Sequence, residues 1–267
     1  VGQFYKAVNS NKIISLPYRV KEQPMPQVTI VDMKKEMENG NKSIFSRKLR
    51  FEIQECLERK QQIMLLMNRR GFTTYVFCRS CGFIASCKSC SIPLIYHNTS
   101  DTLRCHYCNY QVKNYKECPE CSSLAIKHYG AGTQKVEFEL NRIFPHARVL
   151  RLDSDVTTKK NAHYEIIEAF QKHEADVLIG TQMIAKGLDI HNVTLVGVMT
   201  ADSSFVFPDY RSMERGFQLL TQVAGRAGRG NEPGKVIFQS YSESVYALEC
   251  AKRQDYQAFY ALEIFER

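Results

Sequence analysis

The sequence has no apolar run long enough to cross a membrane, for which about 18 consecutive apolar residues are needed. Its first six residues, from Val1 to Lys6, do not form the apolar segment of a secretory signal peptide. The first residue is not methionine, so we expect the sequence to be a fragment of a longer protein. These absences exclude a membrane-spanning protein and indicate a reducing compartment, where disulfides are rare.

Two nucleotide-binding motifs are also absent from the sequence. There is no phosphate loop of the form G-x-x-x-x-G-K-[ST], and there is no Asp-Glu-x-His box. The chain therefore lacks the groups with which P-loop ATPases hold phosphates and Mg²⁺. Its 267 residues, of which 44% are hydrophobic, are enough for one large domain or for one domain with a smaller insert.

Cysteine, in contrast, is abundant and strongly patterned. Eight of the ten cysteines form four C-x-x-C pairs, which are Cys78/Cys81, Cys87/Cys90, Cys105/Cys108 and Cys118/Cys121. A C-x-x-C turn holds two sulfurs on one side of a tight loop, and two such turns supply a tetrahedron of thiolates about 2.3 Å from Zn²⁺. The pattern therefore predicts two zinc ions. Cys56, in an amphipathic segment, is expected to be a small core residue.

Other uses of these cysteines fit less well. A disulfide framework is not expected in a reducing compartment. A thioredoxin-like redox motif needs a single C-x-x-C pair near a βαβ unit. The usual spacings of iron–sulfur ligands also differ from those found here. With zinc bound, eight thiolates and two Zn²⁺ lower the formal charge of +8 to about +4, so charge alone is weak evidence for a nucleic-acid partner.

The pairs can share metals in two ways. In a sequential arrangement, the first pair shares an ion with the second. In a nested arrangement, the first pair shares an ion with the fourth, and the second shares an ion with the third. We favour the nested arrangement, because an insert within a larger domain needs its two ends held together. His97 and His106 could replace a thiolate, but eight cysteines already fill two sites.

The rest of the chain alternates between apolar strands and amphipathic helices, which predicts an α/β fold with a parallel, doubly wound sheet. Strands are predicted at 28–32, 61–67, 147–152, 175–180, 193–200 and 235–240, and helices at 46–59, 133–143, 164–173 and 213–224. One α/β domain thus begins before the cysteines and resumes after them. We divide the chain into 1–76 (an irregular lead-in and the first part of the domain), 77–123 (a loop-rich two-zinc insert), 124–242 (the remainder) and 243–267 (a helical region).

Three polar loops are expected to follow strands, at the carboxyl edge where open parallel sheets bind ligands. They cover residues 68–71, 180–189 and 222–230. In the third loop, Arg226 and Arg229 lie three residues apart at a helix end, with small residues between them that allow another surface to approach. Arginines in such a position can stabilise charge on a transferring phosphoryl group, or they can be solvated residues that favour a helix carboxyl terminus.

The motifs together resemble a known family. G-T-Q-M-x-x-K-G-L-D at 180–189 and Q-V-A-G-R-A-G-R at 222–229 resemble motifs V and VI of superfamily 2 helicases. With the eight-cysteine array, N-R-R-G at 68–71, G-A-G-T-Q at 130–134 and R-L-D-S-D at 151–155, they resemble the PriA family of primosomal replication-restart DNA helicases. The resemblance implies a RecA-like second helicase lobe that carries a zinc module, and it also implies the nested pairing.

The resemblance implies roles for individual residues. Arg226 and Arg229 correspond to the catalytic motif VI arginines that reach ATP bound on the first lobe, and Gln222 begins that motif. Gly187 and Asp189 correspond to nucleotide-binding positions of motif V. Contacts with DNA are implied for a further set: Thr181, Arg69 and Arg70. Phe83 and Tyr107 are aromatic candidates for base stacking on the zinc module.

For the intact protein, the resemblance implies 3′ to 5′ DNA unwinding at abandoned forks and help in reloading the replicative helicase. The implied cofactors are ATP, Mg²⁺ and two Zn²⁺. The implied partners are single-stranded and forked DNA, the first helicase lobe in cis, single-strand binding protein and primosome proteins, in the bacterial cytoplasm. A zinc-module adaptor without a catalytic role is one alternative. Another superfamily 2 translocase is a second, against which the cysteine array argues.

Overall fold

The computed structural model describes residues 1–14, 24–67, 75–129, 132–153, 161–185, 190–206, 209–230, 232–242 and 245–267. Its helices are α1 (Gly2–Asn9), α2 (Met33–Glu38), α3 (Arg47–Glu58), α4 (Thr133–Ile143), α5 (Ala162–Gln171), α6 (Ser212–Ala224), α7 (Tyr246–Arg253) and α8 (Tyr256–Glu266). Its strands are β1 (Gln27–Asp32), β2 (Gln62–Leu66), β3 (Tyr75–Cys78), β4 (Ile95–His97), β5 (Thr102–Arg104), β6 (Gln111–Lys113), β7 (Ile126–Tyr129), β8 (Val149–Leu152), β9 (Val177–Gly180), β10 (Val193–Val198) and β11 (Lys235–Ser240). No helix among these residues is long and apolar enough to span a membrane.

Six strands form one parallel sheet in the order β1-β11-β10-β2-β9-β8. The central strand β2 is buried on both faces, with Met64 and Leu66 in one core cluster and Ile63 and Leu65 in the other. This two-sided burial is expected of a parallel sheet covered by helices on both faces, and it accounts for the continuous apolar run in the sequence. The predicted α/β fold with a parallel sheet is confirmed.

Helices α3 and α4 cover one face of the sheet, and the other face is covered by α5, α6, α7 and α8. The start of α3 is set by Ser46, whose hydroxyl accepts the amide of Leu49. Leu49, Ile53 and Cys56 then recur on the buried side of the helix. Cys56 is buried in this core, as its position in the sequence predicted.

A second sheet is antiparallel, with the order β6-β5-β4-β3-β7. Its strands are only three or four residues long and are joined by turns, so the cysteine-rich insert is indeed rich in loops. Strands β3 and β7 pair along their length, from Tyr75 opposite Tyr129 to Cys78 opposite Ile126. The insert therefore leaves the parallel sheet after β2 and is closed at its base by a two-stranded stem.

The lead-in before β2 is more regular than its sequence indicated, because it contains α1 and α2 in addition to the predicted strand β1. Helix α1 packs through Phe4 against Tyr256 and Tyr260 of α8, with ring centroids 5.2 and 4.7 Å apart. An eight-residue helix is marginal in water by itself, so this helix depends on contacts with a distant segment that local pattern does not reveal.

Candidate metal centres and arginine loop

The first cysteine cluster closes the base of the insert. Cys78, Cys81, Cys118 and Cys121 place their sulfurs within 4.8 Å of one another. The Sγ atoms of Cys78 and Cys121 are 3.7 Å apart, and those of Cys81 and Cys118 are 3.6 Å apart. We call this set the outer cluster. It joins the first C-x-x-C pair to the fourth across the stem formed by β3 and β7.

The second cluster lies at the tip of the insert. Cys87, Cys90, Cys105 and Cys108 place their sulfurs within 4.8 Å of one another, and the Sγ atoms of Cys87 and Cys108 are 3.5 Å apart. We call this set the inner cluster. The two clusters together bring the cysteines into the nested grouping rather than the sequential one.

The same local backbone geometry builds all four C-x-x-C turns. The residue after the second cysteine has a positive φ, and its amide donates to the carbonyl of the first cysteine. These four residues are Gly82, Ser91, Asn109 and Ser122. Glycine enters this left-handed region at no steric cost, whereas serine and asparagine accept a modest one. The turns thus aim both sulfurs of a pair to the same side, as metal ligation requires.

Both clusters fit Zn²⁺. A tetrahedron with Zn–S bonds of about 2.3 Å has edges of about 3.8 Å, close to the sulfur separations found here. Burial together with the neighbouring cysteine sulfurs raises the pKa of Cys81 to about 12, whereas amides of Cys108 and Tyr107 lower the pKa of Cys105 to about 7. Four thiolates crowded together repel one another, and a divalent cation removes that penalty.

The remaining polar and aromatic candidates of the insert lie outside the two clusters. His97 and His106 contact each other, with their Nε2 atoms 3.1 Å apart, and neither is part of a cysteine cluster. Phe83 packs against Tyr115 within the insert, with ring centroids 6.2 Å apart. Tyr107 is 78% exposed. Of the two aromatic candidates for base stacking, Tyr107 is thus the accessible one.

The loop after β9 begins at the carboxyl edge of the parallel sheet, as expected. Gly180 ends the strand where an added Cβ would lie 2.9 Å from the carbonyl oxygen of Leu152, so only glycine fits. Thr181 follows it and is half-buried. The predicted nucleotide-binding residues Gly187 and Asp189 lie outside the described residues, as do the predicted DNA-binding residues Arg69 and Arg70.

The loop that carries the two arginines lies elsewhere than its sequence predicted. It follows helix α6 rather than a strand, and the amide of Gly228 donates to the carbonyl of Val193 at the amino end of β10. Because α6 runs back across the sheet, the loop is brought to the edge opposite Thr181. The expectation that all three loops share the carboxyl edge is therefore wrong for this loop.

The two arginines of this loop differ in their surroundings. Arg226 is only 9% exposed, whereas Arg229 is half-buried and donates from Nε to the carbonyl of Gly225. Gln222, on the last turn of α6, is exposed. Helix α6 ends at Ala224, so both arginines lie in the turn beyond it rather than on the helix. Gly228, between them, packs against backbone of this chain, since a Cβ there would lie 2.4 Å from the amide nitrogen of Gly234.

Two carboxylates at the carboxyl edge, the buried Asp153 and the half-buried Asp202, were not predicted to have a role. Asp153, after β8, accepts the hydroxyl of Thr133 at the start of α4 and lies 3.1 Å from Nε of Arg151. Asp202, after β10, accepts the amide of Tyr241 at 3.2 Å. Burial raises the pKa of Asp202 to about 6. Single acidic residues after apolar strands were the available signal for both.

The parallel sheet, the arginine loop and the two four-cysteine clusters define a helicase C-terminal lobe that carries a zinc-binding module. Residues 126–231 match the helicase conserved C-terminal domain, and residues 87–113 match the Cys-rich region domain of the PriA DNA helicase. Over almost its whole length the chain is similar to the replication restart protein PriA.

The relatives with this similarity are replication restart proteins from several bacteria. The PriA of Bacillus subtilis (strain 168) is 47% identical over 256 residues, which are 96% of this chain and 32% of the relative. The PriA of Synechocystis is 50% identical over 258 residues, which are 95% of this chain and 31% of the relative. This chain thus spans about a third of the length of the curated relatives it matches. Among solved structures, RecG bound to a three-way DNA junction aligns with 91% of this chain and with 22% of the RecG chain. The two are 12% identical and superpose with a TM-score of 0.47, so this likeness does not assign a function.

Proposed function

We propose that this chain is the second lobe and zinc module of an ATP-dependent 3′ to 5′ DNA helicase that restarts stalled replication forks and helps reload the replicative helicase. The observation that carries the proposal is the 47% sequence identity to replication restart protein PriA across 96% of this chain. That similarity includes the insert with its two four-cysteine clusters, which a general translocase lobe does not need.

The zinc ligands in this proposal follow the two clusters. One Zn²⁺ is held by the outer cluster and the other by the inner cluster, each as a closed four-thiolate site. A zinc ion with four protein ligands has no open position for water or substrate, so both ions are structural. Their contribution is to fold an insert whose own apolar core is small.

The arginine loop serves ATP hydrolysis in the intact protein. ATP and Mg²⁺ are held by a first lobe in cis. The second lobe, formed by this chain, supplies Arg226 and Arg229 to the phosphates. Its residues near the nucleotide are Gln222, Gly187 and Asp189. The guanidinium groups stabilise the charge that develops on the transferring phosphoryl group. Hydrolysis removes the γ-phosphate, whose charge interacts with both lobes. The lobes then open because this shared contact is lost.

DNA is held at the carboxyl edge of the sheet, opposite the arginine loop, by contacts with the sugar–phosphate backbone of the DNA. Thr181, Arg69 and Arg70 contact phosphates, which makes binding independent of sequence and dependent on salt. Repeated closing and opening of the lobes moves the bound strand. The partners we propose are single-stranded and forked DNA, single-strand binding protein and primosome proteins, in the bacterial cytoplasm.

The test is an unwinding assay with the full-length protein that contains this chain. Forked DNA with a labelled strand should be separated in the presence of ATP and Mg²⁺, with 3′ to 5′ polarity, and should stay annealed with a non-hydrolysable ATP analogue. A protein that binds forks without separating them under any of these conditions contradicts the helicase proposal and favours an adaptor.

A further inference from the structure

Arg79 connects the zinc module to the parallel-sheet lobe. It lies between Cys78 and Cys81 of the outer cluster, and it is buried, at 8% exposure. Its guanidinium makes three hydrogen bonds, all to groups of the lobe. Nε donates to the hydroxyl of Tyr241 at 3.1 Å, Nη1 to the carbonyl of Lys42 at 2.8 Å, and Nη2 to the carbonyl of Ser43 at 2.6 Å.

The contact around this guanidinium is closely packed and largely apolar. Phe77 meets the ring of Tyr241 edge to face, with centroids 5.1 Å apart, and both belong to a small core cluster with Met33 and Tyr75. Gly82, which follows Cys81, has a φ of +81°, and a Cβ there would lie 3.1 Å from the carbonyl oxygen of Tyr241. A hydrogen bond to a buried charged group is stronger than a neutral one, and losing its partner leaves a costly unpaired charge.

The inner cluster shares the backbone bonds of the outer one but not its arginine. The amide of Cys87 donates to the carbonyl of Ile92, as that of Cys78 donates to the carbonyl of Phe83. Lys88, which holds the position of Arg79 in the inner cluster, is exposed. The sulfurs of the inner cluster lie at the tip, beyond the stem formed by β3 and β7. The two metal clusters therefore differ in what they are connected to.

We propose that Arg79 is a positioning residue that fixes the orientation of the zinc module on the lobe, and that the outer zinc ion holds Arg79 in place. Zinc ligation by Cys78 and Cys81 fixes the short backbone segment between them, so the guanidinium is aimed at its three acceptors before it meets them. The inner zinc ion shapes the tip and has no part in this joint. The inference rests on the proposed ligation of zinc by both clusters.

Hydrogen–deuterium exchange on this chain tests the proposal, with zinc content measured in parallel. Arg79→Ala should keep two zinc ions per chain and speed exchange at residues 41–45 and 240–242 at least about tenfold, the factor expected from losing one charged hydrogen bond. Exchange in β10 should stay unchanged. Ser80→Ala, on the same turn but bonded to Ser123 within the module, is the matched control and should alter neither region.

Removing each metal separately tests the role of the outer ion. The double variant Cys118→Ser/Cys121→Ser should reproduce the exchange pattern of Arg79→Ala, whereas Cys105→Ser/Cys108→Ser should not. Equal acceleration by both double variants, or unchanged exchange in Arg79→Ala, overturns the proposal. If Arg79→Ala does not fold, Tyr241→Phe removes only the acceptor of Nε, and it should speed exchange at 240–242. No acceleration there also overturns the proposal. A double variant that keeps both zinc ions instead refutes the ligand assignment.

Discussion

Gly228 lies directly against Gly234, at a distance that leaves no room for a side chain on either residue. A Cβ on Gly228 would come within 2.4 Å of the amide nitrogen of Gly234, and a Cβ on Gly234 would meet the carbonyl carbon of Ala227 at the same distance. Gly228 also has a φ of +69°, which L-amino acids with side chains rarely adopt. This contact sets the path of the loop that carries Arg226 and Arg229.

We therefore predict that Gly228→Ala destabilises this chain by at least about 2 kcal/mol, because left-handed strain and a clash with backbone add together. Gly225 provides the matched control, since a Cβ there would meet only ordinary contacts at 3.6 Å. Urea unfolding should thus show a clear loss of stability for Gly228→Ala and a change within about 0.5 kcal/mol for Gly225→Ala. Equal stability of the two variants would contradict the loop geometry.

The nested arrangement of the metal ligands predicts a specific metal count. The wild-type chain should bind two zinc equivalents. Replacing the first and fourth pairs together by serine should leave one equivalent, because only the outer cluster is lost. Replacing the first and second pairs should leave none, because each cluster then loses half of its ligands. Metal analysis of the purified variants distinguishes the two arrangements, since sequential sites predict the reverse. Iron in place of zinc would contradict the metal assignment.

Asp202 predicts a pH dependence of stability. Burial raises the pKa of this carboxyl to about 6 in the folded chain, above its ordinary value of 3.8. Folding is therefore favoured while the carboxyl is protonated, and that contribution is lost as the pH rises through about 6. Between pH 5 and pH 8, the free energy of unfolding should fall by about 1 kcal/mol more in wild type than in Asp202→Asn.

The comparison with Asp202→Asn cancels the pH dependence of the metal sites, which the two proteins share. Denaturant titrations at several pH values measure the free energy of unfolding of both proteins. Parallel pH profiles for the two proteins would show that the carboxyl titrates as it does in the unfolded chain.

This chain by itself should not hydrolyse ATP. Its sequence contains neither the phosphate loop nor the Asp-Glu-x-His box that hold phosphates and Mg²⁺ in related ATPases. Phosphate release from the purified chain should stay at background with and without single-stranded DNA. DNA-stimulated turnover would mean that the chain holds a nucleotide site of another kind.

Local sequence pattern was enough to predict the parallel sheet. Strands such as β11 and helices such as α4 have strong periodicity and clear ends, and both were predicted with the bounds that the structure has. The cysteine spacing likewise predicted two four-cysteine groups, and the need to hold the two ends of an insert together favoured the nested grouping that the sulfurs adopt.

Features that depend on distant contacts were not predictable in this way. Helix α1 packs through Phe4 against Tyr260 of α8. The arginine loop lies at the amino end of β10 because α6 crosses the sheet. Arg79 occupies one of the two variable positions of a C-x-x-C pair, where sequence gives no hint that its acceptors are Lys42 and Ser43, over thirty residues earlier. Spacing identifies metal ligands, whereas tertiary packing decides what the residues between them touch.

The proposed role of Arg226 and Arg229 in ATP hydrolysis can be tested by measuring ATP turnover of the full-length protein. Arg226→Ala and Arg229→Ala should each lower DNA-stimulated ATP hydrolysis by at least about 10³-fold, as loss of a catalytic arginine does in related phosphoryl transfers. Zinc content and the unfolding transition should match wild type in both variants. Turnover close to that of wild type in both variants, with folding intact, would contradict the assignment of these arginines to ATP hydrolysis.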